Sequence, residues 1–302
     1  LIMRILVTGK NGQLGKSIHK AISANSTETN TNQNLNEFVF VGRGELDLSQ
    51  EEGVANYFNN NKFDIIINCA AYTAVDKAEE EQELANQVNH LAVKQLAQIA
   101  NKQKIKLIHL STDYIFDGES DKPYTETDKT NPINIYGETK LAGEKVLREA
   151  MPTNAIIIRT SWVYSEFGKN FVKTMLSLGR ERDELNVVSD QIGSPTYATD
   201  LANAVLEIIE NKEFSESDQT TQIYHYSNEG EISWYEFAKE IFKITEIDCK
   251  VKPMSTEQYP TLASRPKSTA MNMDKIISNL NIPIFSWHDS LRACLYRVIK
   301  ND

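Results

Sequence analysis

The sequence predicts an α/β protein, a doubly wound parallel sheet to which a smaller α/β lobe is added. Three observations carry that expectation. Apolar, β-rich runs recur at Arg4–Thr8, Phe38–Val41, Phe63–Cys69, Lys106–Leu110 and Ala155–Arg159, with helical stretches between them. That alternation is the pattern of strand–helix–strand units in a parallel sheet. A glycine-rich turn, G-x-x-G-x-x-G, stands at the first strand–helix junction, and beyond Tyr164 the regular alternation loosens. The expected division is 1–168 with 198–230 for the sheet domain, and 169–197 with 231–302 for the smaller lobe.

Composition sets the bounds. A chain of 302 residues with 40% apolar and 25% charged residues has the material for a substantial core and the make-up of an ordinary soluble globular protein. No apolar run approaches the ~20 residues that span a bilayer. The first residues form a strand that feeds the glycine turn, not a charged segment followed by a long apolar stretch and a cleavage site. Met3 reads as a natural start, and a cytoplasmic location is expected. The net charge of −10 argues against a general nucleic-acid binder while leaving room for a local basic pocket that takes a phosphorylated ligand. Cys69, Cys249 and Cys294 are odd in number and lack C-x-x-C spacing, so neither a disulfide framework nor a zinc site is expected. They read as small buried residues, and no metal site is assigned.

Taken in order, Arg4–Thr8 runs into Gly9-Lys10-Asn11-Gly12-Gln13-Leu14-Gly15, and Leu14, Ile18, Ala21 and Ile22 then repeat at helical spacing. Gly9, Gly12 and Gly15 let the backbone turn tightly and approach a pyrophosphate, and the helix start supplies N–H donors. A dinucleotide site is the expectation. Ser23–Asn36 is polar and aperiodic and reads as a surface loop. Phe38–Val41 ends in Gly42-Arg43-Gly44, where an NAD-binding fold often carries a carboxylate; Arg43 reverses that charge and suits a 2′-phosphate, hence NADPH, with NADH as the alternative. A short third element is expected to set Asp47 and Leu48 along the adenine. Phe63–Cys69 opens into Ala70-Ala71-Tyr72, small residues at a strand's carboxyl end against which a cofactor can lie. The run Glu79-Glu80-Glu81 reads as a solvated helix face, and Asn89 starts an amphipathic helix where it could support the site.

Lys106–Leu110 delivers Ser111, Thr112 and Asp113 to the same sheet edge. A turn-rich connection with Pro123, Asn131 and Pro132 leads to the helix of Tyr136 and Lys140. Residues four apart share a helix face. An ammonium beside a phenol favours the phenolate, so this spacing suits proton exchange, and the Thr112 hydroxyl completes a cradle for a carbonyl oxygen. Trp162 follows the fifth strand and could stack on a sugar-like ligand. In the later part, Ser233 with Glu236 reads as a capping box, Ser264–Lys267 as a basic loop and Trp287–Val298 as a final helix.

The glycine turn, the Ser/Thr strand end and Y-x-x-x-K together resemble the extended short-chain dehydrogenase/reductase superfamily. Gly12–Gly15, Asn68–Glu79, Ser111–Gly118, Arg159–Tyr164, Asp190–Thr196 and Arg265-Pro266 resemble the dTDP-4-dehydrorhamnose reductase family over nearly the whole chain. The resemblance implies a Rossmann-type sheet and a soluble enzyme that takes a dTDP-sugar. It also implies reduction of the 4-keto group of dTDP-4-dehydro-6-deoxy-L-mannose to dTDP-L-rhamnose by NADPH or NADH. It gives Tyr136 the role of proton donor, has Lys140 lower the Tyr136 pKa and hold the nicotinamide ribose, and puts Thr112 on the keto oxygen. Gly9, Gly12, Gln13, Leu14, Gly15, Arg43, Asp47, Leu48, Ala70, Ala71, Tyr72 and Asn89 then fall to the cofactor, and Val75, Asp113, Phe116, Trp162 and Arg265 to the sugar nucleotide. Some family members bridge a dimer through magnesium and an acidic residue two positions past the last glycine. Ser17 stands there in this chain, so a monomer or weak homodimer is expected. Sugar-nucleotide dehydratases and epimerases share the cofactor half, and the regulatory subunit of methionine adenosyltransferase resembles the family without catalysing its reaction. Asp113-Tyr114 in place of an Asp-Glu pair, and an intact Thr112, Tyr136 and Lys140, favour the reductase.

Overall fold

A computed structural model of the chain describes residues 2–25, 36–216 and 218–301. In chain order it has β1 Arg4–Thr8, α1 Gln13–Asn25, β2 Glu37–Val41, α2 Glu51–Asn60, β3 Ile65–Asn68, α3 Val75–Ala78 and α4 Gln82–Asn86. A π-turn at Gln87–Leu91 leads into α5 Ala92–Gln103, β4 Lys106–Thr112, α6 Ile135–Ala150, β5 Ala155–Thr160, β6 Val163–Tyr164, α7 Phe171–Glu181 and β7 Glu184–Val188. There follow β8 Ile192–Gly193, β9 Thr196–Tyr197, α8 Ala198–Glu210, α9 Lys212–Glu216, β10 Gln222–His225 and β11 Ile232–Ser233. The chain ends with α10 Trp234–Thr245, β12 Lys250–Met254, α11 Asp274–Leu280 and α12 Trp287–Asn301.

The main sheet has six strands in the order β10-β5-β4-β3-β1-β2, and every neighbouring pair is parallel. The chain steps from β1 to β2 on one side and then to β3 on the other. That reversal opens a crevice beyond the carboxyl ends of β1 and β3, where ligands of open α/β sheets bind. The strands are apolar throughout because both faces are covered. Ile5, Val7, Ile65, Ile67, Ile108 and Ile158 pack with Leu201, Val205 and Ile208 of α8 on one face. Leu6, Ile66, Leu107 and Ile157 meet Phe58 of α2, Leu96 of α5 and Leu147 of α6 on the other. A third core lies among α7, α10 and α12, where Val172, Leu176, Phe237, Ile241, Leu291 and Leu295 are buried. There β7 and β12 form a parallel ribbon.

Several expectations are corrected. Ser23, Ala24 and Asn25 continue α1 instead of opening a loop, and 26–35 of that stretch lie outside the described residues. No strand carries Asp47 and Leu48; turns fill Gly42–Gln50, and Leu46 and Leu48 anchor them by burial. Glu79 is not merely solvated, since its carboxylate accepts the Ile135 N–H at 3.0 Å and so caps α6. The strand β12 was hidden by its lysines and Pro253, a residue that an edge strand of a two-stranded ribbon tolerates. The Ser233–Glu236 capping box is present.

Candidate active site

The glycine turn is close-packed. Gly9 has φ +70°, and a Cβ there would lie 2.8 Å from the Ala70 nitrogen; one on Gly15 would lie 2.3 Å from the Gly9 carbonyl oxygen. Only glycine lets the turn fold onto itself and onto the segment after β3. The crevice between them is a cleft of about 340 Å³, lined by Gly9, Gly12, Arg43, Asp47, Leu48, Ala70, Ala71 and Tyr72, all expected at a dinucleotide. Asn11, Leu46, Ser49, Leu84 and Val88 line it too and were missed; Leu84 and Val88, apolar and four apart beside an acidic stretch, were the available signal. At the mouth Arg43 is exposed and pairs with Asp47 at 3.3 Å. Hydrogen bonds from Ser49, and then Arg43, hold the Asp47 carboxyl below its usual range.

Three cofactor candidates are placed differently from the expectation. The Gln13 amide donates to the Val163 carbonyl and accepts from Ser165 and Asn170, so its side chain ties the glycine turn to the segment before α7. Leu14 packs on the first core. Asn89 is 1% exposed; it accepts the Tyr72 N–H at 2.8 Å and donates to the Tyr72 carbonyl and to Thr139. It shapes the loop behind the cleft.

Thr112, Tyr136 and Lys140 converge at the end of β4. Asn134 caps α6 through the Gly137 N–H, and a Cβ on Gly137 would come 2.1 Å from the Tyr114 carbonyl oxygen. The glycine therefore lets the first turn of α6 press against the turn that follows β4. Tyr136 is half-buried, and loss of water around it pushes its phenol up to about 12; a hydrogen bond with Thr112 opposes the rise and the Asp113 carboxyl adds to it. The downward pull comes from Thr112 and not, as expected, from Lys140. Lys140 is 2% exposed and donates to the Leu110 carbonyl at 2.6 Å. Burial brings it down to about 8, with Glu144 and Cys69 acting in the opposite sense. Asp113 is 3% exposed, and burial raises it to about 7 against hydrogen bonds from Thr269 and Thr112. One of its carboxylate oxygens has no partner.

A second cleft, about 670 Å³, opens beside Tyr114, between Asp76 and α7, β7 and the 259–265 segment. Arg182 and Arg265 line it with Phe171, Trp234 and Tyr259. Arg265 forms a two-pronged ion pair with Asp76, at 3.2 and 2.9 Å, which fastens that segment to α3. Trp162, with φ +46°, stacks on Trp234 at 3.4 Å and covers Gly193, so Trp234 is the indole that faces this cleft. Val75 begins α3 beside Asp76. Phe116 is a core residue: it is fully buried, stacked on Tyr124 at 4.1 Å and covered by Arg159. It does not line the cleft. Arg182 and Trp234 were missed because they come from the later segments, whose packing over the sheet no local motif announces.

Comparison with known proteins agrees with this layout. The model of the RmlD substrate-binding domain family matches residues 3–299. A dTDP-4-dehydrorhamnose reductase of Sinorhizobium fredii is 42% identical over 301 residues, covering 98% of this chain and 98% of that protein. The crystal structure of a dTDP-4-dehydrorhamnose reductase from Clostridium acetobutylicum has a TM-score of 0.89 at 40% identity, covering 98% of this chain and all of that one. One from Bacillus anthracis, solved in complex with NADP, gives 0.88 at 37% identity, again with 98% and 100% covered. With a doubly wound sheet, a glycine-lined crevice and end-to-end similarity to these reductases, the chain belongs to the RmlD substrate-binding domain family.

Proposed function

We propose that the chain reduces the 4-keto group of dTDP-4-dehydro-6-deoxy-L-mannose with NADPH to give dTDP-L-rhamnose. The observation that carries this reading is the position of Thr112, Tyr136 and Lys140 at the end of β4, in a chain aligned end to end with reductases of that name. When bound, NADPH supplies a hydride. The close-packed glycines and the α1 amino terminus fit a pyrophosphate, and the cleft of about 340 Å³ fits the adenosine end with Arg43 at its mouth. Thr112 and Tyr136 present hydroxyls to the keto oxygen, and Tyr136 hands its proton to the alkoxide as that forms. A phenol near 12 stays protonated at neutral pH, which is what an acid requires. Lys140 steadies the phenolate left behind and holds the nicotinamide ribose.

The larger cleft takes the dTDP-sugar, with Arg182 and Arg265 set for its diphosphate and Trp234 for a flat or sugar face. Val75 and Asp113 border the sugar. On this reading 1–168 with 198–230 is the cofactor domain and 169–197 with 231–302 the substrate lobe. Among the described residues no helix is long and apolar enough to cross a membrane. We take the enzyme to work in the cytoplasm as a monomer or weak homodimer. Purified protein mixed with NADPH and the keto-sugar nucleotide should consume NADPH and form the 6-deoxyhexose in equal amounts. Isomerised or dehydrated sugar with no net NADPH loss would instead assign the chain to epimerase or dehydratase chemistry.

A further inference from the structure

Behind Lys140 runs a row of buried polar side chains across the carboxyl ends of five strands. Thr8, Asn68 and His109 are in register on β1, β3 and β4, and Ser111, Arg159 and His225 on β4, β5 and β10. None is more than 4% exposed. Polar groups at such a depth cost stability unless their hydrogen bonds are met, so a row of them in an otherwise aliphatic sheet calls for a reason. Alternation along β4 puts His109 and Ser111 on the face of Leu107, which is the face covered by α6. From α6, Glu144 reaches into the row. Its carboxylate accepts from Arg159 at 3.0 and 2.7 Å and from Ser111 at 2.5 Å. Lys140 sits one turn earlier on the same helix, its ammonium held at the Leu110 carbonyl.

We propose that Glu144, clamped by Arg159 and Ser111, is a positioning residue that keeps Lys140 charged for the reaction. The groups facing Lys140 leave it that task. The Cys69 thiol, from the segment after β3, is pushed up to about 12 by burial and is neutral. His109, from β4, is held neutral by burial and by Lys140 itself. Thr8 donates to the Asn68 carbonyl oxygen, so the Asn68 amide donates to His109 Nδ1 and leaves the imidazole proton on Nε2, where it has no partner. Tyr136, on the same helix, is a neutral phenol. Glu144 is the negative charge in this set, and Arg159 is its partner on the far side. Three hydrogen bonds fix the carboxylate in place, so it acts on Lys140 as an oriented charge one helical turn away, at roughly 5–6 Å between Cβ atoms. In so dry a place a charge at that range counts for far more than in water.

The inference rests on the reading that Lys140 grips the cofactor, and the test separates the two. NADPH affinity, read by fluorescence, and turnover are followed against pH. The Lys140 charge is present below its pKa and lost as pH rises through about 8, so both should fall there in the unaltered protein. In Glu144→Gln that fall moves to lower pH by about one pH unit or more. Because this variant strands Arg159, Glu144→Gln/Arg159→Met is made as well; it removes the buried pair in a size-conserving way, and the fall should stay displaced. A fall that remains near the original pH in either folded Glu144 variant overturns the positioning role. A fall that persists in Lys140→Met leaves Glu144 with nothing to position and overturns the reading of Lys140 beneath it.

Discussion

Tyr136 shows what the sequence says about a single residue and what it withholds. Its four-residue spacing to Lys140 was legible, as was Thr112 at the strand end, because both follow from helix and strand periodicity. The source of its tuning was not, since burial and the Thr112 hydroxyl act through space. Tyr136→Phe should lower turnover by about two orders of magnitude and leave NADPH affinity within about threefold, because it deletes one hydroxyl and keeps the ring. Near-normal turnover would remove the proton-donor role. The side chains of Gln13, Asn89 and Phe116 bond or pack within the fold, which the sequence did not announce, because residue type does not tell whether a side chain faces a ligand or its own fold. Arg43 is exposed and, among the described residues, pairs with Asp47 alone, an ion pair of little strength. Arg43→Ala should therefore weaken NADPH selectively, shifting the NADPH-to-NADH ratio of kcat/KM by about tenfold at low salt, where a charge-assisted hydrogen bond contributes roughly 1.5–3 kcal/mol. Equal losses with both cofactors would show that Arg43 only shapes its loop.

Among the elements, α6 does the most. It carries Tyr136 and Lys140, is capped by Asn134 and Glu79, and has glycines at both of its tight contacts. A Cβ on Gly137 would lie 2.1 Å from the Tyr114 carbonyl oxygen, and one on Gly143 would lie 2.2 Å from that of Asn89. Backbone cannot swing aside as a side-chain tip can. Gly137→Ala should therefore push the first turn of α6 off the turn that follows β4, cutting turnover by at least about tenfold while the protein stays folded. Gly53→Ala, on α2, is the control: its Cβ would make an ordinary 3.6 Å contact with Gln50, the residue before the helix. Removing a glycine's chain entropy there should stabilise the fold by about 0.5–1 kcal/mol. Similar effects from both would show that the close approach has no bearing on function. The first five strands of the main sheet and the helices α1, α5 and α6 were legible from their periodicity, whereas β12 and the π-turn before α5 were not. The first is defined by its partner β7, and the second departs from helical spacing by only one hydrogen-bond step.

At the scale of the whole molecule, Asp113 stands buried just past the end of β4, next to Tyr114 of the larger cleft. A carboxyl with a free value of 3.8 that is raised to about 7 makes the native state bind a proton that the unfolded chain has released. Stability from this group is intact below the unfolded value, declines as pH climbs from there to about 7, and stays at its lowest above that. Asp113→Asn is uncharged in both states, keeps an oxygen for the Thr112 hydroxyl and puts its amide where the aspartate oxygen has no partner. It should raise the thermal midpoint at alkaline pH. The advantage should shrink steadily on acidification toward the unfolded value, the full span being a few kcal/mol at most, at ~1.4 kcal/mol for each pH unit that separates the folded and unfolded values. Every other titrating group, including the buried histidines that weaken the fold as they charge in acid, is common to both proteins and cancels in the difference. If Asp113 also touches the sugar, the same substitution loses turnover while gaining stability, the exchange expected of a residue kept for function. A gap between the two proteins that does not change with pH would mean that the Asp113 carboxyl is not strained by its burial, and the case for a functional reason to bury it would fall with that.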